Sequence, residues 1–332
     1  MSTVDPALLV GAERARRTLV VRPTRQDVTF VAAVRGAAIS TLVVMALIGI
    51  FLFIGAWPAL EQQGFGFLTT TDWLPESGTF GIASLLWGTV LVGLFALVVA
   101  VPIGFGAALF ISEYAPAAIK KPLVTLVDLM AAVPAIIYAL WAFIFLQEQL
   151  LGVAQWIAVH FGGILPFLSV KTPDSPSSYT SSAFIAGIAT GVVVVPTVCS
   201  IMREVFAQAP QGEREGAIAL GATRWGMIRT VVIPFGRSGI VGGIMLGLGR
   251  ALGETIVVYS IIAPDFTLTT HPLQSGTNTI AAHIASRYSE SNGIGLAGLL
   301  GAGLVLFFFT LIINTLAGVV VRRSRSGAAT EI

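Results

Sequence analysis

Six apolar stretches, at about 37–57, 82–111, 123–146, 182–202, 238–262 and 294–320, dominate this chain of 332 residues. Each reaches the ~20 residues that a helix needs to cross a hydrocarbon core. Lipid cannot hydrogen-bond a backbone, so segments of this kind are read as helices that satisfy their own N–H and C=O groups. The composition agrees: 55% of residues are hydrophobic and 11% charged, against about 25% charged in soluble domains. The sequence therefore predicts an all-α integral membrane protein with six transmembrane helices.

Basic residues fix the expected orientation. Arg14, Arg16, Arg17, Arg22, Arg25 and Arg35 precede the first span, and Lys120 and Lys121 follow the second. Arg203, Arg214, Arg224, Arg229 and Arg237 lie between the fourth and fifth, and Arg322, Arg323 and Arg325 follow the sixth. With both termini cytoplasmic, these 16 fall inside and only Lys171 and Arg287 fall outside. That asymmetry obeys the positive-inside rule. A seventh span at 149–170 would invert the arginine-rich loop, so that stretch is expected to be interfacial or re-entrant. The first span is too long for a signal-peptide core and is read as a retained anchor.

The expected organisation is a cytoplasmic arm (1–35), a transmembrane domain (36–321) and a cytoplasmic tail (322–332). Residues 58–80 and 171–181 read as outside connections, the first with an aromatic interface anchor. Pro102, Pro134 and Pro196 are expected to interrupt their spans, with Pro102 offering a break in the over-long second one. The single cysteine, Cys199, excludes an intrachain disulfide and a cysteine metal cluster. His160, His271 and His283 lack metal-ligand spacing and are read as interfacial or outside-loop residues. Glu113 and Asp128 are explained as solvated or snorkelling charges. The net charge of +2 reflects topology, and no basic patch interleaved with aromatics points to nucleic acid.

Two charges resist a purely structural reading. Arg250 and Glu254 stand four residues apart inside the fifth apolar run, in phase with Gly243 and Gly247 on one expected helix face. An arginine at mid-membrane costs roughly 2.5–3.5 kcal/mol on the insertion scale, and such residues mark transport paths. An internal salt bridge that fixes register is the alternative. If the path carries an oxyanion, an arginine fork suits it. Glu254 would then hold Arg250 in place, or accept a hydrogen bond from a protonated anion.

The loop between spans four and five, at 203–237, contains REGAIALGATRWGMIRTVVIPFGRSG. Its apolar spacing predicts two short helices joined at Gly221, the second ended by Pro234. Such a pair is a natural docking knob for a soluble partner.

That loop resembles the EAA motif of ABC-importer permeases, with Glu215, Gly216, Ala217, Gly221 and Pro234 at the motif's spacing. Gly216 stands where the motif has its second alanine. LGATRW (220–225), GRALGET (249–255), AAVPAIIYALW (131–141) and GTVLVGLFALVVAVPIG (88–104) extend the likeness to the PstC-type permeases of phosphate importers, from about Phe67 to Arg323. Where that family commonly has serine, this chain has Ala135. The resemblance implies a MetI-like six-helix bundle that imports phosphate. It also implies a homologous second permease, a dimer of ATP-binding subunits seated on the EAA loop, and an extracytoplasmic phosphate-binding protein. No cofactor is implied. None of the three lysines lies in a G-x-x-x-x-G-K-[ST] phosphate loop, so energy must come from a partner or an ion gradient. A sulfate or molybdate permease, and a proton-coupled transporter using Arg250 and Glu254 as a relay, are the alternatives.

Overall fold

The computed structural model describes residues 24–262 and 269–325. Most of the arm, residues 263–268 and the end of the tail lie outside the described residues. Contacts divide the chain into Met1–Ile50 and Phe51–Ile332.

In the first unit the long helix α1 (Arg25–Gln63) begins. Its start is fixed reciprocally: Asp27 N donates to Thr24 Oγ1 at 3.2 Å while Thr24 N donates to Asp27 Oδ2 at 2.8 Å. Two orphan backbone donors are thereby satisfied, as in a capping box.

The second unit starts with the last turns of α1 and a short helix α2 (Gly66–Thr69). A small antiparallel hairpin follows, β1 (Trp73–Leu74) with β2 (Thr79–Phe80), in register Trp73 to Phe80. Thereafter come α3 (Ala83–Leu109), continued by a π-helical turn at Phe110–Tyr114, α4 (Ala117–Ala132) and α5 (Ala135–Trp141). A second π-helical turn (Ala142–Leu146) leads into α6 (Gln147–Phe161), and α7 (Ala183–Ala207) follows after a Pro/Ser-rich connection. The short α8 (Gln211–Ala219) and α9 (Arg224–Met227) precede a π turn (Ile228–Val232) and α10 (Ile233–Leu252). Then come α11 (Ile256–Ile261), α12 (Ile280–Arg287) and α13 (Gly293–Arg325).

Among the described residues, six helical segments are long and apolar enough to cross a membrane: Arg25–Gln63, Ala83–Tyr114, Ala135–Phe161, Ala183–Ala207, Arg224–Leu252 and Gly293–Val319. The number agrees with the sequence, but the third span moves. It runs from 135 to 161 and takes in much of the stretch expected to be interfacial. Val133 adopts an extended ψ of 128° before Pro134, so the 123–146 run is split between α4 and α5. Proline disfavours a helical predecessor, which makes the break local. The other two membrane prolines behave differently. Pro102 lies inside continuous α3 and Pro196 inside continuous α7, so neither interrupts its span.

The centre of the bundle is α7, packed between α3 and α10. Glycines permit this closeness. A Cβ on Gly187 would stand 2.3 Å from Phe95 Cβ, and one on Gly191 would stand 2.9 Å from the Ala96 carbonyl oxygen. On the other side, a Cβ on Gly247 would meet Val198 Cγ2 at 2.7 Å. Membrane helices gain no hydrophobic drive from lipid, so close van der Waals contact of this kind does much of the packing. Ala189, Val194, Val198, Cys199 and Met202 of α7 are buried. On α5 and the turn after it, Ile137, Leu140, Phe143, Ile144 and Phe145 are exposed, as expected of a surface facing lipid or another subunit.

At one end of the bundle the hairpin, α12 and the start of α13 form a separate core around Phe67, Trp73, Phe80 and Ile280. The loop aromatics Phe67 and Trp73 are thus core residues, while Phe65 is exposed. His283, expected in an outside loop, is fully buried beside the Trp73 ring, with centroids 4.6 Å apart. Burial, reinforced by the nearby Arg287 charge, pushes its imidazole down to about 4.

Candidate functional site

Arg250 closes α10, whose last residue is Leu252, and Glu254 lies in the short break before α11. The two residues are therefore not successive turns of one helix. GRALGET carries its own interruption: Gly253 ends α10 and Thr255 precedes α11. Gly243 and Gly247 do face α7 as the small-residue pattern predicted, against Met202 and Val198.

The break separates the partners. Arg250 Nη1 donates to Thr197 Oγ1 of α7 at 3.0 Å. Among the described residues the ion pairs are Arg203–Asp128, Arg214–Glu113 and Arg287–Glu290. Arg250 and Glu254 form none, so the register-fixing salt bridge weighed as the alternative reading is absent. Glu254 instead accepts from the Val257 N–H at 3.3 Å, capping the first turn of α11. It does not hold Arg250 in place. Arg250 is exposed and Glu254 half-buried. Packed on α11 is α5, the helix that begins after the Pro134 break. Tyr138 of α5 lies within electrostatic reach of Arg250. Two helix breaks, one before α5 and one before α11, thus lie near Arg250, and irregular backbone within an apolar run is tolerated where it lines protein or a wet cavity.

The connection from α7 to α10 forms two short helices joined at Gly221, as its sequence predicted. LGAT is a stop followed by a start. Gly221 takes a φ of +87°, the left-handed conformation that favours glycine. Gly221 N donates to Ile218 O at 2.9 Å and Ala222 N to Ala217 O at 3.0 Å. These are the paired bonds of a Schellman motif. Thr223 then caps α9, its Oγ1 accepting from Gly226 N at 3.1 Å. Pro234 does not end the second helix: it sits in the first turn of α10, and the helix runs on from Arg224 to Leu252. Within that continuous helix Pro234 is an interior residue and removes one backbone donor; it closely follows the π turn Ile228–Val232, where the helical ladder already departs from α geometry. Glu215, Gly216, Ile218, Leu220, Gly221 and Trp225 are exposed, and Ala217 half-buried. Leu220 is 92% exposed and Trp225 53%, an apolar surface on a polar loop.

Sequence reasoning missed what anchors this loop. Glu113, expected to be solvated, is buried, its side chain only 3% exposed, and it accepts from Arg214 Nη1 at 3.2 Å. Arg214 Nη2 also donates to the Phe206 carbonyl at the end of α7. Arg224 stacks over the Tyr114 ring with its guanidinium carbon 5.6 Å from the centroid. Nothing in the local pattern could relate Glu113 to Arg214, because 101 residues separate them. Among the described residues, no group of three or more His, Cys, Asp or Glu comes together as a metal site.

Comparison with known proteins fits this geometry. Residues 100–326 match the family described as "Binding-protein-dependent transport system inner membrane component". A phosphate transport system permease protein PstC from Mesorhizobium japonicum is 36% identical over 332 residues, covering 99% of this chain and 100% of the relative. A PstC 2 protein from Mycobacterium tuberculosis is 39% identical over 302 residues, covering 90% and 92% respectively. The chain belongs to the PstC family of ABC-importer permeases. The PstC assignment makes it a multi-pass inner-membrane protein. Among solved structures, a bacterial ABC transporter for import of the polysaccharide alginate superposes with a TM-score of 0.58 at 17% identity, covering 92% of this chain and 99% of that one. That likeness concerns the fold. The MetI-like bundle expected from the EAA loop is thus the architecture of this PstC chain.

Proposed function

We propose that this chain forms one half of the translocation path of an ATP-driven importer of inorganic phosphate. A homologous permease supplies the other half, and ATP is hydrolysed by a dimer of partner subunits seated on the loop 203–237. That loop and both termini face the cytoplasm, and an extracytoplasmic binding protein delivers phosphate to the opposite face. Glu215, Gly216, Ala217, Gly221 and Pro234 belong to the coupling element, with exposed Leu220 and Trp225 as its apolar contact.

The observation that carries the reading is the environment of Arg250. It is a fixed cation within an apolar segment, and its hydrogen bond goes to a neutral hydroxyl, that of Thr197. A guanidinium in that position keeps its charge and its remaining donors for a phosphate oxygen. In a low-dielectric constriction such a contact lowers the barrier to an anion far more than it would in water. The full match to phosphate permeases supports phosphate over other oxyanions.

The test is uptake of labelled phosphate and sulfate by vesicles loaded with ATP and holding equal amounts of assembled complex. Arg250→Ala should reduce phosphate uptake by about tenfold or more, since a full charge partner is lost. Arg250→Lys should recover only part, because an ammonium lacks the fork. Glu254→Gln keeps an oxygen to cap α11. If the carboxylate also reads the phosphate proton, this variant should gain sulfate uptake relative to phosphate. Wild-type phosphate uptake by Arg250→Ala would refute the path assignment.

A further inference from the structure

The turn Phe110–Tyr114 receives one arginine from each short helix of the α7–α10 connection. Arg214 of α8 pairs with Glu113, and Arg224 of α9 stacks on Tyr114. Arg214 also grips the carbonyl of Phe206, so a single guanidinium joins α8 to the ends of both α3 and α7. The pair is well shielded, with Arg214 19% and Glu113 3% exposed. Separating a buried pair leaves an uncompensated charge, which makes the three elements move together. The contact is also incomplete. Glu113 Oε1 and Arg214 Nε are buried without a hydrogen-bond partner, so the carboxylate has a further oxygen, and the guanidinium a further edge, that this arrangement does not use. Bidentate carboxylate contacts are a standard arginine geometry.

From these contacts we propose that Arg214 and Glu113 are positioning residues for transport: they convert movement of the α8–α9 loop into movement of α3 and α7. This rests on the loop's role as the ATPase coupling element. From Phe206, α7 runs without a break to Thr197, the hydroxyl that holds Arg250. The nine residue steps between them span about 13 Å of helix. Loop and path arginine therefore grip the same rigid rod. In one position of the loop the carboxylate meets Nη1. In another it engages the Nε edge, and the Phe206 carbonyl is released.

The experiment uses the complete complex in vesicles and reads phosphate imported per ATP hydrolysed, alongside the amount of ATPase subunit retained. Arg214→Lys keeps the ion pair but not the second donor edge. The double variant Glu113→Met with Arg214→Met removes both charges and keeps apolar volume, which avoids a stranded buried charge. Both should retain the ATPase subunit, and both should import about five- to tenfold less phosphate per ATP, the range of an ordinary coupling energy. A wild-type ratio in either variant overturns the proposal, and so does loss of the ATPase subunit from both while the permease still inserts. Glu215→Lys keeps this outcome separate from failure of the coupling assignment. If that variant retains both ATPase and transport, the loop is not the coupling element, whatever the Arg214 variants do.

Discussion

Two glycines in the α7–α10 connection should respond in opposite directions to the same substitution. Around both Gly216 and Gly221 there is open space, with nothing within 4 Å of an added Cβ. Steric clash therefore contributes to neither, and the backbone decides. Gly216 lies within α8, where alanine should stabilise the helix by about 0.5–1 kcal/mol through reduced chain entropy. Gly221 holds a φ of +87°, where an L side chain costs roughly 1–2 kcal/mol. Hydrogen exchange reads both effects directly on the amides of Leu220, Gly221 and Ala222, which bond back to Gly216, Ile218 and Ala217. Gly216→Ala should slow exchange of these amides by about two- to fivefold. Gly221→Ala should speed it by about five- to thirtyfold, the factor that 1–2 kcal/mol represents. Gly221→Asn should fall between, since asparagine visits the left-handed region more readily. If both alanine variants shift exchange in the same direction, the Schellman account of this loop is wrong.

Three further perturbations follow from particular contacts. Gly88→Ala would place a Cβ 2.0 Å from the Asn278 carbonyl oxygen, so the segment carrying Ile280 N to Thr89 Oγ1 must shift. The thermal midpoint should fall by the equivalent of about 1–3 kcal/mol or more. His283 is neutral when folded, at about 4 against 6.5 when exposed. Stability present above pH 6.5 should therefore be lost as pH falls toward 4, by about 3 kcal/mol in full. A melting-temperature series from pH 7 to 4.5 should show this slope flattened in His283→Phe; an unchanged slope refutes it. With Cys199 replaced by alanine, a cysteine at Ser177 should label with an impermeant reagent in intact cells and one at Gly212 should not. Labelling of Gly212 would overturn the orientation.

The sequence showed clearly those features that depend on local chemistry. Hydropathy counted six spans, and the order Leu-Gly-Ala-Thr marked one helix end and the next helix start. Proline was read less well. Val101–Pro102 and Val133–Pro134 share a local pattern, each following an alanine, yet only the second breaks its helix. The difference is tertiary. Around Pro102, Ala100 and Gly104 are buried, with Gly104 close to Val198 of α7. Helix α4, which precedes Pro134, buries no residue fully and rests on α7 only through half-buried side chains such as Leu123, Val124 and Val127, so its packing is weaker than that around Pro102. Helical spacing likewise placed Arg250 and Glu254 on one face because it assumed continuity through Gly253. Glu113 was misread for another reason: a solvated and a buried carboxylate look alike until the fold brings Arg214 beside one of them.

On the proposed reading, the arrangement around Arg250 suits an anion path better than a proton relay. A relay needs groups that exchange a proton within hydrogen-bond reach. Arginine does not deprotonate in proteins, so Glu254 would be the titrating member of such a pair. Yet Glu254 makes no ion pair with Arg250, and its carboxylate instead accepts from the Val257 N–H. A permanently charged guanidinium is a poor proton carrier and a good anion ligand. Its neighbours on α7 are consistent with the second role. Thr197 orients the guanidinium without neutralising it, and an aspartate or glutamate in that position would cancel the charge an oxyanion needs. What distinguishes the site is a cation held by a hydroxyl, beside two breaks in helices that pack on one another.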